Sequence, residues 1–448
     1  MKNQSYLSLA LLFIFLIFQP SAVSSQTQLD NYIKEALENN LDLKKQDFAL
    51  QKSLYALKEA KSLFLPEVEF NTSYITSGGG RKIEIPIGDL LNPVYNSLNN
   101  LTGSGKFPQV ENVSQTFNPN NYYDTRAHTS IPIFNAEIIY NSRIKKEQIT
   151  YQQVELKLYK RELVKQVKLA YFNYIQSLQA IKVFQNAVEL AKENLRINQA
   201  MVSNGKAIRT VVSRSENELT GISAQLQEAE TQAQNAAAYF NFLLNRPLQT
   251  AVREEMVTSS VSTDTFNPQK REELLALESL GQVNELAVKL SKSSALPKLT
   301  TFLDLGLQGD FLKVNRDAPY YLFGVNLSIP VFTGNRNKHK TRQAQIELNA
   351  TQTQLEQAEK QLDLEVLSTR NRLTAAKSSY EAAVSQVALS EKYYKDEQRL
   401  YKEGQALYLE LLDAQTRLIN DQLKQSMALL NVRTRETELE RARASYVL

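Results

Sequence analysis

Three observations predict a mainly α fold with a smaller β part, built from two copies of one unit. Gly (14) and Pro (12) are scarce in 448 residues, so most of the chain must run in long elements with few turns. Long stretches carry apolar residues at three-and-four spacing, the period of helices packed along a seam. Between them lie segments of about ten residues in which apolar and polar residues alternate, the period of strands with two unlike faces.

Lys2 precedes an apolar run from Leu7 to Phe18, followed by Pro20 and the small residues Ser21, Ala22, Val23, Ser24 and Ser25. That order is a secretory signal over 1–25, and the run falls short of the about 20 residues a membrane helix needs. The mature chain is expected to start at Gln26, without a cysteine for a lipid anchor, so any membrane role must use strands or a surface helix. Leu43, Leu50, Leu54, Leu57 and Phe64 predict an amphipathic helix that ends at Pro66. Val68, Phe70, Thr72 and Tyr74 then alternate with Glu67, Glu69, Asn71 and Ser73 in a strand over about 67–76. Gly78, Gly79, Gly80, Pro86, Pro93, Gly103, Gly105, Pro108 and Pro119 mark 77–121 as a long loop. A second strand, 122–134, sets Tyr123, Thr125, Ala127, Thr129 and Ile131 against Asp124, Arg126, His128 and Ser130. A coiled-coil seam runs out through Leu163, Val167, Ala170, Tyr174, Val188 and Ala191 and returns from Leu219 to Leu243 after a reversal at Gly205. This helical hairpin occupies 135–245, and at 1.5 Å per residue its outgoing arm would reach ~100 Å.

The same landmarks recur. Leu65-Pro66-Glu67-Val68 is echoed by Leu296-Pro297-Lys298-Leu299, Ser130-Ile131-Pro132-Ile133-Phe134 by Ser328-Ile329-Pro330-Val331-Phe332, and Gly205-Lys206-Ala207 by Gly404-Gln405-Ala406. The offset is 198 at the second prolines and 199 at the glycines, which a duplication explains. Pro66 and Pro132 lie 66 residues apart but Pro297 and Pro330 only 33, so the first copy carries an insertion. The repeats are expected over 26–246 and 271–448, joined by a linker at 247–270 that holds Pro247 and Pro268. In the second repeat a helix restarts from Glu272 to Ser294, strands are expected over about 298–308 and 320–332, and a second helical hairpin over 335–448. Its return seam reads Leu412, Thr416, Ile419, Leu423, Ser426 and Leu430.

Composition excludes several chemistries. Without cysteine there are no disulfides, thiol nucleophiles or Cys-bearing zinc sites, and His128 and His339 are the two imidazoles. No cofactor or metal is expected. Lys and Arg total 52 against 48 Asp and Glu with no long basic block, which argues against nucleic acid. No phosphate-binding glycine loop, nucleophile elbow or His-Glu-x-x-His motif occurs, so an enzyme is not expected.

The strands are long enough to cross an outer membrane at a tilt, with Tyr122, Tyr123, Tyr320 and Tyr321 at one end and Phe134 and Phe332 at the other, like aromatic girdles. Four strands cannot close a barrel, and an open edge cannot sit in lipid, so chains must associate. Two would give eight strands and a filled interior; three would give twelve and a lumen. Asp124, Arg126, His128 and Asp304, on the polar faces, would line it. His339, in the basic patch Arg336 to Arg342, would lie near membrane phosphates. The alternative is a periplasmic coiled-coil scaffold or adaptor, which the long helices would satisfy but which leaves the alternating strands without purpose.

Over the mature chain, about 420 residues, this ordered set resembles the TolC-like outer-membrane efflux proteins. The carrying features are the doubled proline-bounded strands, the doubled Ile-Pro-aliphatic-Phe at 131–134 and 329–332, and the glycine-centred helix reversals. The resemblance implies a homotrimer, with a twelve-stranded β-barrel in the outer membrane of a Gram-negative-type cell and a helical tunnel across the periplasm. It implies a passive exit channel of a tripartite efflux or type I secretion system, partnered by a periplasmic adaptor (membrane-fusion) protein and an inner-membrane pump. Helix tips around Gly205, Thr210, Tyr401 and Gly404 would meet the adaptor, with Tyr401 matching an aromatic position that helps hold the closed tip, although packing in the seam also fits it. Glu410 and Asp413 would ring the closed periplasmic aperture, six carboxylates in a trimer, although their spacing of three also fits an ordinary solvated helix face. Lys206, Gln405 and Val211 depart from the leucines and the acid common at those positions, and the 77–121 loop looks like an external loop elaborated in some branches.

Overall fold

The computed structural model describes residues 28–118, 120–255, 271–310, 313, 315–446 and 448; the expected signal segment and linker residues 256–270 lie outside them. In chain order the helices are α1 (Gln28–Asn39), α2 (Leu41–Ser62), α3 (Ile87–Thr102), α4 (Ala136–Ser203), α5 (Thr210–Leu243), α6 (Glu272–Ser293), α7 (Arg336–Lys402) and α8 (Tyr408–Arg443). The strands are β1 (Glu67–Ile75), β2 (Lys82–Ile85), β3 (Val113–Thr116), β4 (Tyr122–Phe134), β5 (Lys298–Asp310) and β6 (Pro319–Ser328). The described residues fall into two compact units, one within Leu54–Glu147 and Gln282–Asn349, the other within 28–53, Gln148–Gly281 and Ala350–Leu448.

The first unit holds a four-stranded antiparallel sheet in the order β1-β4-β5-β6, so β4 and β5 join the two repeats side by side. Paired residues share a face, and the register keeps the two alternations in phase. Val68, Thr129, Leu303 and Phe323 form one rung of the apolar face, and Phe70, Ala127, Leu305 and Tyr321 another. That face is bare: Phe70 is 73% and Tyr321 77% exposed. Glu69, His128, Asp304 and Leu322 share a rung of the opposite face, followed by Asn71, Arg126, Gly306 and Tyr320.

Two expectations in this unit need correction. The fourth strand stops at Ser328 rather than at 332. Pro330 has no amide hydrogen, and the pairing of β6 with β5 ends at Ser328–Lys298, the first residue of β5; the equivalent Pro132 stays in β4 because β5 still lies beside it, Pro132 facing Thr300 and Phe134 facing Leu299 across a bulge. The 77–121 insertion is a small folded module rather than a loop. β2 and β3 pair, and Asn92 and Asn99 of α3 each clamp both backbone groups of a residue alongside, Val110 (2.8 and 3.0 Å) and Phe107 (3.1 and 2.8 Å). These amide clamps hold the segment against α3, which continues past Pro93.

The helical unit is built around small-residue seams. Leu163, Val167, Ala170, Val188 and Ala191 of α4 and Ile222, Ala229, Ala233, Ala236 and Phe240 of α5 are buried, as the spacing predicts. A helix that the sequence reading lacked, α1, puts Leu29, Tyr32, Ile33 and Ala36 into the same core as Leu163, Val167, Tyr171 and Phe240. Asn40 ends it and starts α2, accepting the Leu43 amide at 3.0 Å while donating to the Leu243 carbonyl at 2.9 Å. The return seam of the second hairpin is displaced at its start: Thr416 is exposed, while Leu411, Ala414 and Leu418 are buried. The reason is that α8 packs against Ile197 of α4 as well as Tyr394 and Tyr401 of α7, which turns its buried stripe toward both.

A charge cluster ties the start of α6 to α4 and α8. Arg161 grips Glu272 through two bonds of 2.6 and 2.8 Å, both side chains being buried. Glu273 accepts from Arg271 (2.8 and 3.1 Å) and pairs with Arg441 at 2.8 Å. Burial works against the charge of Glu273, but Arg271 and Arg441 outweigh it and lower its pKa to about 2.

Candidate functional site

The polar face of the sheet brings the four candidate lumen residues together in two pairs. Arg126 bonds Asp124 at 3.1 Å along β4, and the Tyr320 hydroxyl donates to the same carboxylate at 2.9 Å from β6. His128 Nδ1 pairs with Asp304 across β4 and β5, and Asp304 is 5% exposed. Phe302 stacks on His128 with ring centroids 5.9 Å apart. Two glycines make this possible. A Cβ on Gly324 would lie 2.5 Å from the Phe302 ring, and one on Gly306 would lie 2.7 Å from the Thr125 carbonyl and 2.9 Å from the Tyr320 ring. Both rings therefore lie close over the sheet. The centre of this face is thus polar with its carboxylates partnered, Asp124 by Arg126 and Tyr320 and Asp304 by His128, while Glu69 of β1 extends the same face at its edge.

In the helical unit the two reversals are built alike. Gly205 (φ +69°) and Gly404 (φ +75°) adopt the left-handed conformation that ends α4 and α7. Each closes the same pair of bonds: Lys206 N–H to Met201 (2.8 Å) and Gly205 N–H to Val202 (3.0 Å), then Gln405 N–H to Leu400 (2.9 Å) and Gly404 N–H to Tyr401 (3.0 Å). No atom would lie within 4 Å of a Cβ at either glycine, so conformation alone requires the residue. Thr210 opens α5 and is exposed.

Tyr401 is placed differently from a surface contact. It is 4% exposed, packs with Tyr408 at 5.6 Å, and donates its hydroxyl to Asn198 Oδ1. Asn198 in turn donates to Ser215 on α5. Nearby, Asn194 Nδ2 bonds Gln415 Oε1 at 2.6 Å. A buried polar network thus links α4, α5, α7 and α8, and burial raises the phenol pKa values of Tyr394, Tyr401 and Tyr408. The sequence reading missed Asn194, Asn198, Ser215 and Gln415. Their one signal was two asparagines four apart on α4 beside the apolar seam.

Glu410 and Asp413 are both exposed on the first turns of α8. Glu410 also acts locally, because its carboxylate accepts the Leu407 amide at 2.7 Å and so satisfies a donor at the helix start. Desolvation, followed by the charges of Glu397, Asp413 and Glu410, raises the pKa of Tyr393, so these three carboxylates share one neighbourhood. Among the described residues no group of His, Asp and Glu is arranged to hold a metal, and no helix is long and apolar enough to cross a membrane.

The family model for outer membrane efflux proteins matches residues 32–246 and 269–444. Among solved structures the chain is similar to the outer-membrane channel OprN, with a TM-score of 0.74 and 15% identity over 94% of this chain and 90% of that one. It is similar to CusC at a TM-score of 0.74 and 15% identity, covering 93% and 91%. VceC from Vibrio cholerae gives a TM-score of 0.72 and 15% identity, covering 93% and 95%. At these identities the likeness is one of fold. No curated protein matches the chain.

Proposed function

The chain belongs to the outer membrane efflux protein family, and from that premise we propose that three copies form one outer-membrane exit channel. The carrying observation is the sheet: four strands with two open edges, β1 and β6, one face bare and apolar and the other polar. In lipid an open edge leaves backbone groups unpaired, so β6 of one copy must meet β1 of the next. Three copies close twelve strands around a lumen, with Asp124, Arg126, His128 and Asp304 facing it. The long helices then extend through the periplasm, and the repeats divide at residues 26–246 and 271–448. Gly205, Thr210 and Gly404 sit at tips that meet a periplasmic adaptor and, through it, an inner-membrane pump. Tyr401 supports those tips from inside rather than touching the adaptor. The energy for export comes from the pump, and no covalent step is assigned to this chain.

Glu410 and Asp413 are assigned to the aperture. Because Glu410 also caps a helix, Asp413→Asn is the cleaner test. Protein purified in detergent should be trimeric and conduct in planar bilayers, and Asp413→Asn should lower its preference for cations. A monomer that is soluble without detergent would favour the scaffold reading. Unchanged selectivity would remove Asp413 from the aperture while leaving the channel intact.

A further inference from the structure

The sheet-bearing unit carries a cleft of about 630 Å3 between the end of α6 and the first turns of α7 that the channel reading does not use. Lys292 enters it from α6, and Lys338, His339 and Arg342 from α7; Ser291 and Thr341 also line it, their hydroxyls 3.1 Å apart. None of these four basic side chains has an ion-pair partner among the described residues. Their neighbours do: Lys289 pairs with Glu285 at 2.7 Å and Lys298 with Glu137 at 2.6 Å. Basic groups gathered without a counter-charge repel one another, and an anion with several oxygens relieves that repulsion. The donor set suits phosphate, since lysines offer point charges and an arginine offers a planar fork.

The cleft's place in the chain indicates the source of the phosphate. β6 leads through Val331 and Phe332, 93% and 83% exposed, into Gly334 and Asn335, both in the left-handed conformation, and then directly into α7. The basic residues therefore begin where the bare apolar surface of the sheet ends. In a membrane that boundary is the headgroup layer.

We propose that this cleft binds the phosphate of an anionic phospholipid headgroup in the leaflet at the helical end of the barrel, with Lys292, Lys338 and Arg342 as its principal contacts. The inference rests on the membrane reading of the sheet, because lipid reaches the cleft only if the strands span the bilayer.

The test uses the full chain in detergent and the variant K292Q/K338Q/R342Q, with Lys289→Gln as a control at a paired lysine. Retention of phosphatidylglycerol and of phosphatidylcholine is measured by native mass spectrometry and titration, with inorganic phosphate as competitor. A cation beside an anionic headgroup is worth about fivefold in binding. The wild type and Lys289→Gln should hold phosphatidylglycerol more tightly than phosphatidylcholine, and the triple variant should lose that preference by about tenfold or more. Equal binding of the two lipids, or full retention by the triple variant, overturns the proposal. So does displacement of the lipid by inorganic phosphate at equal concentration, which would mark a site for the free anion. Conductance of the same preparations separates the two readings: a channel that conducts without lipid preference sinks this inference alone, whereas a wild type that neither inserts nor conducts sinks the channel itself.

Discussion

Tyr401→Phe removes one oxygen and leaves the ring in place. The hydroxyl donates to Asn198 Oδ1, and Asn198 is 0% exposed, so no water stands ready to replace the donor. Losing an ordinary hydrogen bond costs about 1 kcal/mol, and leaving a buried acceptor unpaired raises the cost to about 1–3 kcal/mol. The bond from Asn198 Nδ2 to Ser215 is untouched, so the loss is confined to the single acceptor Oδ1 and about 1–2 kcal/mol is expected. If the loss falls on local opening of the reversal end, the open population rises by about 5- to 30-fold. Hydrogen exchange read by mass spectrometry measures this directly: peptides covering 190–205 and 394–405 should lose protection by that factor. Peptides around Leu163 to Tyr171, in a separate core, should not change. Unchanged exchange at 190–205 would refute the reasoning, and so would Tyr401→Phe and Asn198→Ala effects that simply add, because residues sharing a bond must couple.

Glu273 is ionised down to about pH 2 when folded, against an ordinary value of 4.5, so its contribution is complete above 4.5 and is lost as pH falls toward 2. The gap corresponds to about 3 kcal/mol, or about 2 kcal/mol after allowing for its partial exposure; thermal melting between those pH values should fall more steeply for the wild type than for Glu273→Gln. Gly404→Ala should cost about 1–2 kcal/mol through backbone strain alone, and Gly404→Asn less, in melts of the detergent-extracted protein. Gly324→Ala drives a methyl group into the Phe302 ring and should cost about 1–3 kcal/mol; adding Phe302→Ala should recover part of the loss, and no recovery would show that the ring is not what Gly324 accommodates.

What the sequence revealed, and what it concealed, follows the range of each interaction. Strand parity is local, so Asp124, Arg126, His128 and Asp304 could be assigned to one face. Which carboxylate His128 meets is set by the register between repeats, across 176 residues, and could not be read along the chain. The seams of α4 and α5 were legible because Leu163, Val167, Val188 and Ala191 of the one and Ile222, Ala229, Ala233 and Phe240 of the other are buried at the steps of three and four that the sequence displays. The start of α8 faces two neighbours, so Thr416 and Leu418 exchanged roles. α1 escaped because its apolar residues, Leu29, Tyr32, Ile33 and Ala36, make little more than two turns among polar neighbours. The insertion looked like a loop because its glycines and prolines were visible, whereas the asparagine clamps that fold it depend on contacts 8 and 18 residues apart. Tyr401 stands three residues before Gly404 and could be placed near the reversal from the sequence, but its hydroxyl's partner is Asn198 from the other repeat, which no local pattern reveals.

The insertion departs from the sheet and rejoins it at neighbouring points. Ile75 pairs with Tyr122, the Tyr74 hydroxyl donates to Asn121 at 3.1 Å, and Ser77 donates its amide to Asn120 at 3.1 Å. A cassette stitched at its base in this way can be exchanged for a tight turn, or for another cassette, without shifting any rung below it. Length and sequence between Thr76 and Asn121 are thus uncoupled from the register of the four strands: what the cassette carries can change while the rungs from Ile75–Tyr122 downward keep their pairing.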